Sequence, residues 1–182
     1  MKKLRLLALM AVAVFFSADF SLAQKAPGID ASPADISYLR TEGRKGDVVA
    51  KVVYGRPQKK GRTMLGGVEK YGEVWRTGAN ETTERSFYRD VNVGDMAVKA
   101  GTYSLYTIPN KDQWTIILNS KLDTWCSYNY DKSQDVARIN VPAGTSNDEV
   151  EAFAIYFEEP KSSTSNMILA WEKTMVKVPI KF

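Results

Sequence analysis

Histidine is absent from this chain of 182 residues, and cysteine occurs once, at position 126. The first absence excludes His-based triads, Cys-His dyads and the usual zinc, copper and non-haem iron sites. Any metal would have to be a hard ion held by oxygens, and no loop has EF-hand spacing, so neither metal nor cofactor is expected. One cysteine cannot close an internal disulfide, which leaves packing alone to stabilise the fold. In "TWCSYNY", Cys126 reads as a small buried hydrophobe rather than a reactive thiol. Long apolar runs are also missing: Leu6 to Phe16 falls well short of the roughly 20 residues that a spanning helix needs. With Lys2, Lys3 and Arg5 before it and "SADFSLAQ" after it, this run has the layout of a secretory signal peptide ending near Ala23.

Three segments are therefore expected. Residues 1–23 would be the signal, 24–35 an extended lead-in rich in Pro and Ala, and 36–182 one domain, periplasmic or secreted, with no transmembrane segment in the mature chain. The charge balance is weak. Against 25 Lys and Arg stand 21 Asp and Glu, and removing residues 1–23 leaves 22 against 20. No basic stripe remains, which excludes nucleic acid as a partner. A chain of this length buries roughly 70% of its unfolded surface, enough for a real core.

What the sequence has in abundance is short runs of β-branched and aromatic residues. The clearest are "GDVVAKVVYG", "TERSFYRDVNV", "GTYSLYTIP", "QWTIILN", "VARINV", "VEAFAIYFEE", "NMILAWE" and "MVKVPIKF". None holds a period of 3.6, and several alternate strictly. Trp114, Ile116 and Leu118 share one face, as do Phe153, Ile155 and Phe157, and Val176, Val178, Ile180 and Phe182. Turn signals fall at "VGDM", "PNKD" and "PAGTSND", so sequential strands should pair antiparallel. The expected fold is all-β: a single antiparallel β-sandwich, jelly-roll or immunoglobulin-like, of about nine strands, with a small barrel as the alternative. Proline and lysines in the last run suit an edge strand.

The stretch "YGEVWRTGANETT" concentrates the candidate chemistry. As a strand over Glu73–Thr77, it would turn Trp75 and Arg76 to opposite faces. Gly78 would relieve a turn, and Asn80 tolerates a left-handed backbone. Two interpretations stand. In one, Trp75 fills the core and Arg76 pairs with Glu81 or Glu84. In the other, Arg76 and Asn80 project into an opening and grip an anion. Upstream, "YGRPQKKGR" places Arg56 and Arg62 in an exposed basic loop, either solvated or joined to Arg76 as an anion-binding patch. "TWCSYNYDKSQD" offers Trp125 and Tyr128 as rings that either pack in the core or stack on a sugar. Without histidine, the least strained enzymatic mechanism would be paired carboxylates, with Glu73, Glu81, Asp131 and Glu172 available, and Lys59 or a tyrosine as the alternative base.

Together, "YGRPQKKGR", "YGEVWRTGANE", "KAGTYSLYTIP", "WTIILN", "YNYD" and "LAWEK" resemble the family called domain of unknown function 2911, over roughly Ile36 to Phe182. The resemblance implies a small exported bacterial protein and implies no activity. The family pattern has Trp-Gly where this chain carries Trp125 and Cys126. The expected function is non-catalytic binding of a small anionic or carbohydrate ligand by Arg56, Arg62, Trp75, Arg76, Asn80 and Tyr128. The alternatives are an envelope assembly module that binds a protein partner through an edge strand and, third, a glycan-acting enzyme that works without histidine.

Overall fold

Alternating runs become nine strands in the computed structural model, and no α-helix forms among the described residues, 26–182. The expected signal segment lies outside those residues. The strands are β1 (Ala34–Arg40), β2 (Val48–Gly55), β3 (Ala79–Phe87), β4 (Val91–Val93), β5 (Met96–Val98), β6 (Gly101–Ile108), β7 (Gln113–Asn119), β8 (Asp135–Phe157) and β9 (Thr164–Lys181). They form one antiparallel sheet in the order β1-β2-β3-β6-β7-β8-β9-β4-β5. Residues Ala31–Phe182 make up one compact unit.

Two expected turns are turns: Gly94 and Asp95 join β4 to β5, and residues 109–112 join β6 to β7. The third is not. "PAGTSND" continues β8, which runs for 23 residues. Its first part pairs with β7 as far as Pro142, and from Ala143 it pairs with β9 instead. Changing partners this way lets one strand leave a sheet portion and enter another without a hairpin. "NMILAWE" and "MVKVPIKF" likewise merge into β9, interrupted at Glu172, where the register shifts and φ is +52°. That irregularity has a use, since the Glu172 carboxylate accepts the backbone N–H groups of Met64 and Leu65 at 2.9 and 3.0 Å.

Because β8 changes partners, the sheet has two portions, β1-β2-β3-β6-β7-β8 and β8-β9-β4-β5, and their apolar faces share one core. Val52, Leu105 and Ile116 from the first portion and Ile155, Leu169 and Val178 from the second are all buried in it. This arrangement is consistent with a sandwich. At its centre Trp75 stacks on Trp171 (5.5 Å, 16° between planes) and meets Phe153 and Trp114 edge-on at 4.9 and 6.1 Å.

The final run is not an edge. Strand β9 lies between β8 and β4, with Val93 paired to Ile180 and the Pro179 carbonyl accepting the Gly94 N–H at 2.8 Å. Proline is tolerated there because it sits between the β8 pairing, which ends at Val176, and the β4 pairing, which begins at Ile180. The edges are β1 and the three-residue β5.

Candidate functional site

Strands β3 and β6 pair only from Glu84 to Phe87 and then part. Beyond that point two loop segments fill the split. Trp75 exchanges backbone hydrogen bonds with Thr107 of β6 (2.8 and 2.9 Å), while residues 124–126 pair with the start of β3, Thr82 N–H to Thr124 O at 2.9 Å and Cys126 N–H to Asn80 O at 3.3 Å. The stretch that was expected to be a strand over Glu73–Thr77 is thus a loop with a single bridge at Trp75. The loop ends on a left-handed residue, Thr77 (φ +57°), and Asn80 at the start of β3 is another (φ +64°). Gly78 serves a close approach, not a turn: a Cβ there would lie 2.9 Å from the Gly55 carbonyl oxygen.

Hydroxyls lock the second segment down. Thr82 Oγ1 lies 2.8 Å from Thr124 Oγ1 and donates to the Cys126 carbonyl at 2.7 Å, while Tyr106 Oη lies 2.8 Å from Thr124 Oγ1. Farther along, Ser104 donates to the Lys121 carbonyl, and Tyr130 packs edge-on against Tyr106 at 5.0 Å. Asp131 caps the short 3-10 turn Lys132–Gln134. Tyr130 is tied to Asp135, and burial with that carboxylate beside it pushes its phenol pKa up to about 12.

The expected site residues separate. Trp75 is 2% exposed and its indole N–H donates to the Gly78 carbonyl, so its rings serve the core and offer no face to a ligand. Arg76 pairs with neither Glu81 nor Glu84. Its Nη1 points to Cys126 Sγ at 3.3 Å, its Nε is buried without a hydrogen-bond partner, and it faces Glu69, whose carboxyl burial pushes up while Arg76 partly offsets it. Arg56 binds Asp35 (3.2 Å) and the Phe153 carbonyl (3.1 Å), tying the end of β2 to β1 and β8. Arg62 closes its own loop on the carbonyls of Gln58 and Lys59. Two further groups of that loop meet acids of β8: the Lys59 ammonium pairs with Glu149, and the backbone N–H of Lys60 donates to Glu151. The side chains of Arg56, Arg62 and Lys59 are therefore directed at the protein's own fold.

Asn80 and Tyr128 lie elsewhere. Asn80 lines a recess of 270 Å³ between β2, β3 and the 123–124 backbone, together with Val53, Glu81, Glu84, Asp123 and Thr124. Next to Thr124, Trp125 is 58% exposed, and Tyr128 is 82% exposed, where packing in the core was one expectation for both. Glu73 is exposed, Asp131 is a cap and Glu172 is bound to backbone amides, so of the four carboxylates proposed for catalysis only Glu81 lines the recess. Among the described residues, no group of three acidic or thiol side chains is placed to hold a metal ion.

One residue escaped the sequence argument. Arg85, at the centre of β3, is 1% exposed, and burial pulls its pKa down to about 9. Its signal was readable: it is in phase with Thr83 and Phe87, both inward-facing, in the run "TERSFYRD".

No curated protein and no solved structure matches this chain. A family profile does, over residues 37–180, which takes in the split and the recess except Ser32 and Ala34. The chain belongs to the family described as Protein of unknown function (DUF2911).

Proposed function

We propose that the protein is an exported, non-catalytic binding module, and that its ligand is a carbohydrate seated in the recess beside Trp125. The observation that carries this is the lining: Glu81, Glu84 and Asp123 with Asn80, and no lysine or arginine. Carboxylates repel a small anion but accept hydrogen bonds from sugar hydroxyls. Of the two ligand classes expected, the lining therefore favours the sugar. Val53 and Ala34 supply an apolar wall, and Trp125 and Tyr128 expose flat rings of the kind that bury the apolar face of a sugar. Titration calorimetry with cell-envelope oligosaccharides tests it. Wild type should bind at micromolar to millimolar concentration, and Trp125→Ala and Glu84→Gln should each weaken binding roughly tenfold, a loss of about 1.4 kcal/mol. No heat from any envelope oligosaccharide at millimolar concentration would end this reading.

An assembly role is the second reading. Edge strand β1 leaves one side unpaired and exposes Ile36 (50%) and Tyr38 (46%), as strand addition by a protein partner requires. Failure of a Tyr38→Lys variant to change recovery of envelope proteins would count against it. Glycan cleavage is a third, since three carboxylates share one recess; wild-type protein that releases no product from any glycan it binds would dismiss it.

A further inference from the structure

Arg85 lies between the two sheet portions, and no carboxylate among the described residues is paired with it. Its register neighbours are Val52 and Tyr103, and its guanidinium lies over the ring of Phe87, two residues along the same strand (4.4 Å), and faces that of Phe157 across the core (5.3 Å). Nη1 donates to the thioether of Met167, a weak acceptor. Nε and Nη2 are buried and have no hydrogen-bond partner, and no ion pair among the described residues includes Arg85.

Those two nitrogens form the side edge of the guanidinium, the fork that receives a carboxylate with two parallel hydrogen bonds. Aromatic faces offset part of the cost of burying the cation, yet they leave the in-plane N–H groups unmade. A fold that needed only packing at this position would be better served by methionine or leucine, because an uncompensated buried charge is strongly destabilising. The geometry therefore fits a partner that arrives with the missing charge.

A route leads to it. Phe157 and Leu39 line a 260 Å³ recess between the end of β1 and the segment after β8, where the charges of Arg40 and Arg44 stand against those of Glu158 and Glu159, and Glu158 is already engaged by Lys177 and Asn166. Phe157 thus separates this recess from Arg85, and it is only partly buried. Rotation of one ring would connect the two.

We infer that the interior of this protein is a second binding site, in which Arg85 anchors the carboxylate of a monocarboxylic acid whose apolar body lies along Phe157 and Leu39. The site differs from the sugar recess in location and in charge, and neither requires the other.

The probe is octanoate, with octanol and chloride as controls, followed by thermal unfolding and titration calorimetry of the protein. Octanoate at one hundred times its Kd should raise Tm by about 5 °C or more, whereas octanol and chloride leave it unchanged. Arg85→Met should abolish the octanoate response and melt at or above the unliganded wild type. Arg85→Lys, which keeps the charge and lacks the fork, should weaken binding at least tenfold. If Arg85→Met does not fold, Arg85→Lys carries the test: at the same octanoate concentration its Tm should rise by only about half as much as that of wild type, and an equal rise would overturn the inference. Equal stabilisation by octanoate and octanol, equal stabilisation by chloride, or no response to octanoate at millimolar concentration would each overturn the inference.

Discussion

Replacing Thr82 with valine probes the hydroxyl cluster that holds residues 124–126 in the split between β3 and β6. The two side chains have nearly the same shape, so neither a cavity nor an overpacked contact arises. What disappears is one oxygen that lies 2.8 Å from Thr124 Oγ1 and donates to the Cys126 carbonyl at 2.7 Å. Each lost hydrogen bond costs a net of about 1 kcal/mol, and a part-buried carbonyl left without its donor adds up to about another. The expected loss is about 2–3 kcal/mol, which in a domain of this size lowers Tm by roughly 4–12 °C. The backbone bond from Thr82 N–H to Thr124 O survives, so the segment loosens without leaving. Circular dichroism melting measures the first quantity. Amide hydrogen exchange at residues 124–126 measures the second, with faster exchange expected there and unchanged protection in β7. Thr115→Val, which removes an exposed hydroxyl bound to Asn140, is the control and should stay within about 0.5 kcal/mol of wild type. A Thr82→Val variant that melts within 1 °C of wild type with unaltered exchange would refute the claim that these hydroxyls hold the segment.

Trp75→Ala empties the centre of the aromatic core and should cost about 3–5 kcal/mol in urea unfolding, whereas a cost below 1 kcal/mol would move Trp75 out of the core. Cys126 occupies a glycine-favouring conformation, φ +58°. Cys126→Gly should therefore remain within about 1 kcal/mol of wild type, and Cys126→Val, β-branched at positive φ, should be about 1–2 kcal/mol less stable than the glycine variant by the same measurement. Glu69 has its carboxyl pKa raised, chiefly by burial, so the folded state favours the protonated form. Its contribution to stability is fully present below the ordinary carboxylate pKa and is lost as pH rises through the higher folded value. Glu69→Gln should consequently raise Tm at pH 7, and the difference from wild type should vanish below about pH 4; a glutamine variant less stable than wild type at pH 7 would contradict this.

Local alternation carried most of the fold. Trp114, Ile116 and Leu118, Phe153 and Ile155, and Val176, Val178 and Ile180 face the core as their period of two requires. Pro142 and Gly144 misled because turn residues also permit a strand to bend while it changes partners, and composition does not distinguish the two events. The candidate site was less legible for a different reason. Arg56, Arg62 and Arg76 were grouped by closeness in sequence and by charge, but the acids and carbonyls that engage Arg56, such as Asp35 and Phe153, lie in distant strands. The recess joins Val53, Glu84 and Asp123 from three separate segments, so no single motif could announce it. For Arg85, its position in the alternation was visible, whereas its lack of a partner is a property of the whole interior.

Strand β8 belongs to both sheet portions, and β4, formed by residues 91–93, pairs with β5 on one side but finds its other neighbour only at Ile180 and Lys181. During synthesis, the hairpin of β4 and β5 must therefore wait for about eighty further residues before it can dock on β9, and β7 must remain an open edge until Asp135 and its successors emerge. Such distant pairings make folding slow and leave apolar strands uncovered in the meantime. A nascent chain of this design gains most from a chaperone that keeps it extended until the two long strands have both appeared.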